Sequence, residues 1–171
     1  GWTVNLTKTG VVQGTQQTGA NGCYQWTDLG PVPGGYYDVS EVVPAGWTPT
    51  SPTSHNFASP PQSGAPYSFT FTNFKNVDVQ ACKLKDADGN LATTGDQTPI
   101  AGWTVYLSID GGRQLPGQLT GWDGCYTWTN LGPGHSYDVE EDVPAGWVAL
   151  TPTSYDFGPA TSGGSYSFTF I

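Results

Sequence analysis

The sequence GCYQWTDLGP at residues 22–31 returns as GCYTWTNLGP at residues 124–133. Three other segments recur in the same order: GWTV begins at positions 1 and 102, VPAGW at 43 and 143, and YSFTF at 67 and 166. A spacing of roughly a hundred residues corresponds to one whole domain, because solenoid repeats are much shorter and need their neighbours to close a core. The sequence therefore predicts one small domain present twice, at residues 1–74 and 75–171.

The composition favours β-structure in both copies. Aromatic residues make up 13% of the chain, charged residues only 11%, and 24 Gly and 14 Pro supply turn formers. So many aromatic side chains are unusual in a solvated coil, which makes strands joined by tight turns the expectation. The net charge of −9 argues against nucleic acid as a partner, and no run of 18 apolar residues is present to insert into a membrane. An acidic, Thr-rich and Lys-poor chain is most easily placed outside the cell or at its surface.

Alternating apolar and polar residues predict strands with one buried face. The pattern runs from Trp2 to Leu6 and recurs around Tyr24 and at 67–71, each time with a counterpart in the second copy. The pairs NG at 21–22 and DG at 123–124 predict two-residue type I′ turns. Short strands separated by Gly and Pro turns predict an all-β fold of two tandem Ig-like β-sandwiches.

The two copies differ at their ends. The segment VDVQACKLK at 77–85 is predicted to be a first strand of the second copy, and the first copy shows no counterpart ahead of Trp2. Conversely, the first copy continues past Phe71 to Asn73, whereas the second stops at Ile171. The first domain is thus expected to lack its first strand and the second the end of its last strand. Either the chain is a window of a longer array, or a neighbour's strand completes an open edge.

The 77–85 strand with its inward Lys, GWTV, DGCYTWTNL, YDVEE, PAGW and a closing FTF strand together resemble the CnaB-like repeats. These prealbumin-like, collagen-adhesin B-type domains form the stalks of surface adhesins, pilins and repeat proteins. The resemblance covers essentially the whole chain, twice. It implies prealbumin-like sandwiches that act as mechanical spacers, with any ligand-binding domain elsewhere in the polypeptide.

Some members of that family join a Lys of the first strand to an Asn or Asp of the last, with a buried Glu promoting the reaction. The resemblance assigns these roles to core-facing positions, with Lys83 as the amine, Glu41 and Glu141 as the acids and Asn73 as the amide. The reaction needs a neutral amine beside a polarised carbonyl in a dry core. Neither copy holds all three groups, and a solvent-facing Lys83 with Glu141 capping a turn is the alternative.

Three cysteines outside the cell favour pairing. Cys82 and Cys125 both lie off the apolar parity of strands in the second copy, so a disulfide between them is predicted. Cys23 would then have its partner outside the chain, on a strand before residue 1. Three free, half-buried thiols are the alternative.

An acidic turn offers oxygen ligands. The candidate Ca²⁺ ligands alternate around a Gly and comprise Asp86, Asp88, Asn90 and Asp96. Some relatives of the repeat family bind calcium in this loop. The sequence is shorter than an EF-hand loop and lacks its closing Glu, so a solvated turn without metal is the alternative.

Most Trp and Tyr residues lie on the inward parity and are predicted to pack in the core. Trp47 and Trp147 follow Pro-Ala-Gly turns and Trp122 lies in a turn, so these three are the candidates for stacking on a ligand. Asn5 begins a glycosylation sequon. No Ser-His-Asp arrangement, phosphate loop or zinc spacing is present, and no enzymatic activity is expected.

These features predict a non-catalytic structural module of an extracellular stalk, fibre or filament. Its expected partners are copies of itself or neighbouring repeat domains, with a glycan or host-surface ligand bound through other domains. No cofactor is expected apart from Ca²⁺. The alternative is a carbohydrate- or protein-binding module that uses the exposed aromatic turns.

Overall fold

The structure is a computed structural model that describes residues 1–57, 64 and 66–171. The chain divides into two compact units, Gly1–Phe74 and Lys75–Ile171, here called unit 1 and unit 2. Within the described ranges the one helical element is a short 3₁₀ turn, Thr94–Asp96. The prediction of an all-β fold is confirmed.

The described strands of unit 1 are β1 (Thr3–Lys8), β2 (Val11–Gln17), β3 (Tyr37–Glu41), β4 (Trp47–Pro49), β5 (Ser54–Phe57) and β6 (Asn73–Lys75), the last of which ends on the first residue of unit 2. Four of them form an antiparallel sheet in the order β2-β1-β3-β5, and β4 pairs with β6. Alternate residues of β1 and β3 point inward because side chains on a strand alternate between faces. The buried core consists of Leu6, Val32, Tyr37, Val39 and Phe57.

Unit 2 contains β7 (Val77–Lys85), β8 (Thr98–Pro99), β9 (Thr104–Ile109), β10 (Gly112–Arg113), β11 (Gln118–Leu119), β12 (Cys125–Leu131), β13 (Tyr137–Glu141), β14 (Ser154–Asp156) and β15 (Ser165–Phe170). One sheet has the order β10-β9-β13-β14, with β11 also on β9, and the other has the order β12-β7-β15, with β8 also on β7. The central strand β7 runs antiparallel to β12 and parallel to β15. Its residues Val77, Val79 and Ala81 are fully buried.

Two strands predicted for the first copy are absent from the described part of unit 1. Residues 23–31 and 66–72 are not strands, although their counterparts in unit 2 are β12 and β15. Both β12 and β15 pair with β7, and described unit 1 contains no counterpart of β7. Strand structure depends on a pairing partner more than on intrinsic propensity, so the same residue pattern stays irregular here.

The predicted type I′ turns are wrong. Among the described residues only Gly22 and Gly124, with φ of 76° and 77°, adopt the left-handed conformation in these turns, whereas Asn21 and Asp123 do not. The side-chain oxygens of Asn21 and Asp123 instead accept hydrogen bonds from the backbone N–H two residues on, at 3.0 Å in both units. An Asx turn at Asn21 and at Asp123 therefore takes the place of the first of the two left-handed residues that a type I′ turn requires.

Candidate cross-linking site

Unit 2 buries a charged pair in its core. Lys83 lies on the same face of β7 as Val79 and Ala81 and is 2% exposed, while Glu141, the last residue of β13, is 4% exposed. The Lys83 Nζ lies 3.1 Å from Oε1 and 2.8 Å from Oε2 of Glu141. The ammonium also lies 4.5 Å from the centroid of the Trp103 ring, whose face attracts a cation.

Unit 1 holds a related but different pair. Glu41 ends β3 as Glu141 ends β13, and it is 7% exposed. Its Oε2 accepts a hydrogen bond of 2.7 Å from Nδ2 of Asn73. The Glu41 Oε1 and the Asn73 Oδ1 are buried without a hydrogen-bond partner. A carboxylate and an amide thus meet in the core with acceptor atoms left unused.

The two pairs are complementary when the repeats are aligned. Unit 2 brings together the amine and the acid, and unit 1 brings together the acid and the amide. A single sandwich with all three groups would place an amine and an amide on one carboxyl group. The chemistry available to that set is transfer of the asparagine side-chain acyl group to the lysine amine, with release of ammonia.

The structure places the three cysteines in two environments. Cys82 and Cys125 lie directly opposite each other on β7 and β12 and form a disulfide, with Cα atoms 4.0 Å apart. Cys23 has a free thiol and is exposed. The disulfide therefore joins adjacent strands of one sheet, beside the buried Lys83.

The acidic turn gathers three of its four candidate ligands. Carboxylate oxygens of Asp86, Asp88 and Asp96 lie within 4.8 Å of one another. The Asn90 side-chain oxygen instead accepts a hydrogen bond from the N–H of Ala92. Although burial acts in the opposite direction, hydrogen bonds from Gln97 and from backbone N–H groups hold the pKa of Asp86 below its ordinary value. Calcium binding here stays a prediction.

The aromatic candidates differ in exposure. Trp47 packs edge-on against Trp2, with centroids 5.0 Å apart, and Trp147 packs edge-on against Trp103 at 5.1 Å. Trp122 is 91% exposed. Only Trp122 therefore offers both faces of its ring, because the other two contribute to packing.

The sequon residue Asn5 lies on β1, where its side-chain oxygen accepts a hydrogen bond from Thr15 at 2.7 Å. Glycosylation at this residue stays a prediction.

Sequence reasoning missed a polar cluster on the outer face of unit 2. Arg113 donates to Glu140 at 2.5 and 3.0 Å and to Asp142 at 2.9 and 3.0 Å, and its guanidinium lies 4.3 Å from the Tyr106 ring centroid. The hydrogen bonds that Arg113 donates to Glu140 and then to Asp142 raise its pKa. The acidic run that ends β13 was the available signal, but pairing it with Arg113 requires knowing that β10 and β13 both flank β9.

Within the described ranges, no helix combines the length and apolar character needed to cross a bilayer. No protein-family model matches the chain. The chain is 32% identical over 171 residues to serine-aspartate repeat-containing protein D of Staphylococcus aureus strain Newman, a match that covers 92% of the chain. Versions of that protein in other S. aureus strains match at the same identity. The chain spans about 12% of the length of these curated relatives.

Two solved structures resemble the fold. The Bacillus anthracis TIE protein is 18% identical with a TM-score of 0.45, and the likeness covers 99% of this chain and 30% of that one. Two B repeat units of the S. aureus collagen binding protein are 18% identical with a TM-score of 0.36, over 99% of this chain and 43% of that one. The predicted placement at the cell surface is confirmed. The resemblance of this chain to the CnaB-like repeat domains of surface proteins is confirmed as well.

Proposed function

We propose that the chain is a non-catalytic structural module of an extracellular stalk, fibre or filament, and that it transmits tension. One observation carries this proposal. In unit 2 the first strand β7 and the last strand β15 are parallel neighbours, paired from Asp78 opposite Ser165 to Lys83 opposite Phe170. Tension applied to the two ends of the unit pulls parallel strands past each other, so the hydrogen bonds between them are loaded together rather than one at a time.

Staples beside this pair of strands support the same function. The Cys82–Cys125 disulfide fixes β7 to β12, and the Lys83–Glu141 pair fixes β7 to the opposite sheet. In the finer form of the proposal, strand complementation or covalent staples join each unit to its neighbours. The staple would form when the neutral amine of a lysine attacks the side-chain amide carbon of an asparagine, making an amide bond while ammonia leaves. The buried Glu would move the proton from amine to leaving group.

Pulling on single chains by their termini tests the proposal. The disulfide spans a sequence separation of 43 residues, so reduction should add about 150 Å to the length released when unit 2 unfolds, at about 3.5 Å per residue. We expect unit 2 to unfold at a higher force than a Lys83→Met variant. Equal and low forces for both proteins, with or without the disulfide, would argue against a mechanical role.

Covalent staples have a separate readout. The chain is extended by a lysine-bearing strand, so that unit 1 contains this lysine together with Glu41 and Asn73. Its intact mass should then fall by one ammonia for each bond formed. A Glu41→Gln variant should keep the full mass, and an unchanged mass in the parent protein would rule out this staple.

A further inference from the structure

We infer that unit 1 accepts a β-strand between residues 23–29 and 66–71, and that a cysteine of this strand forms a disulfide with Cys23. This inference rests on the strand complementation in the proposed function and specifies the direction, register and chemistry of the strand. Unit 2 provides the internal reference, because its β7 occupies the corresponding position between β12 and β15.

The turn that carries Cys23 is already in the geometry of its disulfide-bonded counterpart. The carbonyl of Cys23 accepts a hydrogen bond from Gly19 at 2.9 Å, and the carbonyl of Cys125 accepts one from Gly121 at 2.8 Å. The thiol of Cys23 lies 3.7 Å from the Asn21 carbonyl oxygen, and the Cys125 sulfur lies 3.6 Å from that of Asp123. The exposed Cys23 is therefore oriented as it would be opposite a second cysteine.

A second, independent feature points to the same strand. The Glu41 side chain is more than nine-tenths buried, and its Oε1 has no hydrogen-bond partner, whereas the corresponding Glu141 binds the Lys83 amine. A buried carboxylate oxygen without a donor is costly, so a cation or donor is expected to reach it. In β7 the lysine directly follows the cysteine. One Cys-Lys dipeptide in this register would therefore meet both Cys23 and Glu41.

The apolar surface on either side of the position is more exposed than in unit 2. Tyr67 packs on the core residue Phe57 as Tyr166 packs on Phe157, with ring centroids 4.9 and 5.0 Å apart. Tyr24 and Tyr67 are nevertheless 40% and 39% exposed, whereas their counterparts Tyr126 and Tyr166 are part-buried. A strand with small apolar residues at alternate positions, as in Val77–Lys85, would cover these rings. It would run antiparallel to 23–29 and parallel to 66–71, as β7 does with β12 and β15.

The covalent step is a thiol–disulfide exchange. The strand cysteine is first held as a mixed disulfide with a small thiol, which a small-molecule disulfide oxidant supplies. The Cys23 thiolate attacks the strand sulfur, the new bond joins the two cysteines, and the small thiol leaves as a thiolate. Attack is fastest when the strand holds the two sulfurs together, because the reaction then becomes intramolecular.

A peptide with the nine-residue sequence of β7 tests this inference on the full chain with its Cys82–Cys125 disulfide intact. Its cysteine is activated as a thiopyridyl disulfide, and release of pyridine-2-thione together with intact mass reports capture by Cys23. The matched control exchanges the peptide's Ala and Cys, which moves the sulfur to the opposite face of the strand. We expect the native-order peptide to react about tenfold faster than the control, and Glu41→Gln to reduce that advantage.

Hydrogen exchange provides the second measurement. In the captured complex, backbone amides in 24–29 and 66–71 should become protected, because they pair with the added strand. Equal reaction rates for the two peptides, or an adduct without added protection, would show that Cys23 is merely an accessible thiol and would overturn the inference. The pulling experiment reports on unit 2 and is unaffected by either result.

Discussion

Replacing Lys83 with Met should destabilise unit 2 strongly. The substitution keeps the length of the side chain but leaves the Glu141 carboxylate, 4% exposed, without its cation. Removal of one partner of a buried ion pair typically costs about 3–5 kcal/mol. Unit 2 is a domain of roughly a hundred residues, in which each kcal/mol shifts Tm by about 4–8 °C, so the expected decrease is about 12–40 °C.

The double variant Lys83→Met with Glu141→Leu separates loss of the pair from loss of packing. Replacing both buried charges by apolar side chains is often neutral or stabilising, so most of the lost stability should return. Lys85→Met is the matched control, because Lys85 lies two residues further on the same strand and is exposed. It should change the free energy of unfolding by less than about 0.5 kcal/mol.

Thermal unfolding measures these changes, and hydrogen exchange of β7 and β13 assigns the transition to unit 2. All variants retain the Cys82–Cys125 disulfide, so its effect cancels in the comparison. A Lys83→Met protein as stable as the Lys85→Met control would mean that Lys83 is solvated and that the pair contributes nothing. Equal losses in the single and double variants would instead attribute the effect to packing alone.

Reducing the Cys82–Cys125 disulfide should lower the stability of unit 2 by about 2–4 kcal/mol, because it frees a long loop in the unfolded chain, and denaturant titration with and without reductant measures the change. Asp156→Asn should stabilise unit 2 at neutral pH by about 0.2–1 kcal/mol, since Asp156 lies directly opposite Asp138. Burial and then the charge of Asp156 raise the pKa of Asp138, so the penalty for its charged form disappears as the pH falls through that raised pKa, and thermal unfolding should show the gain vanishing in acid. If the acidic turn binds Ca²⁺, calorimetric titration should detect it and Asp96→Asn should weaken it, whereas absence of heat in both proteins would leave a solvated turn.

Much of the fold could be predicted because it depends on local pattern. The strands β1 and β9 follow from alternation alone, and their residues Leu6 and Leu107 are buried as that alternation requires. The opposed positions of Cys82 and Cys125 follow from the same parity argument. These features need only the period of a strand and the order of the repeats.

Features that depend on partners could not be predicted in this way. Tyr24 and Tyr126 both follow Gly-Cys and both have a Trp two residues on, yet only Tyr126 lies in a strand, because only unit 2 supplies β7 beside it. The unused oxygen of Glu41 is likewise invisible in the sequence, since it is defined by what does not reach it. The Asx turn at Asn21 was missed because its side chain, rather than a left-handed backbone, closes the turn.

The difference between the two units connects stability to mechanical function. In unit 2, tension between the first and last strands acts on β7 and β15, which are directly hydrogen-bonded, and the disulfide fixes β7 to β12 on its other side. In unit 1 the corresponding last segment, 66–71, lacks strand pairing, so tension along it would not be borne by an equivalent set of hydrogen bonds. A strand that paired with 66–71, joined Cys23 and placed an amine on Glu41 would supply such a set of hydrogen bonds. Tension on unit 1 would then be applied through this strand. Unit 1 should therefore gain resistance to force only when the strand is bound, whereas unit 2 should resist force without any addition.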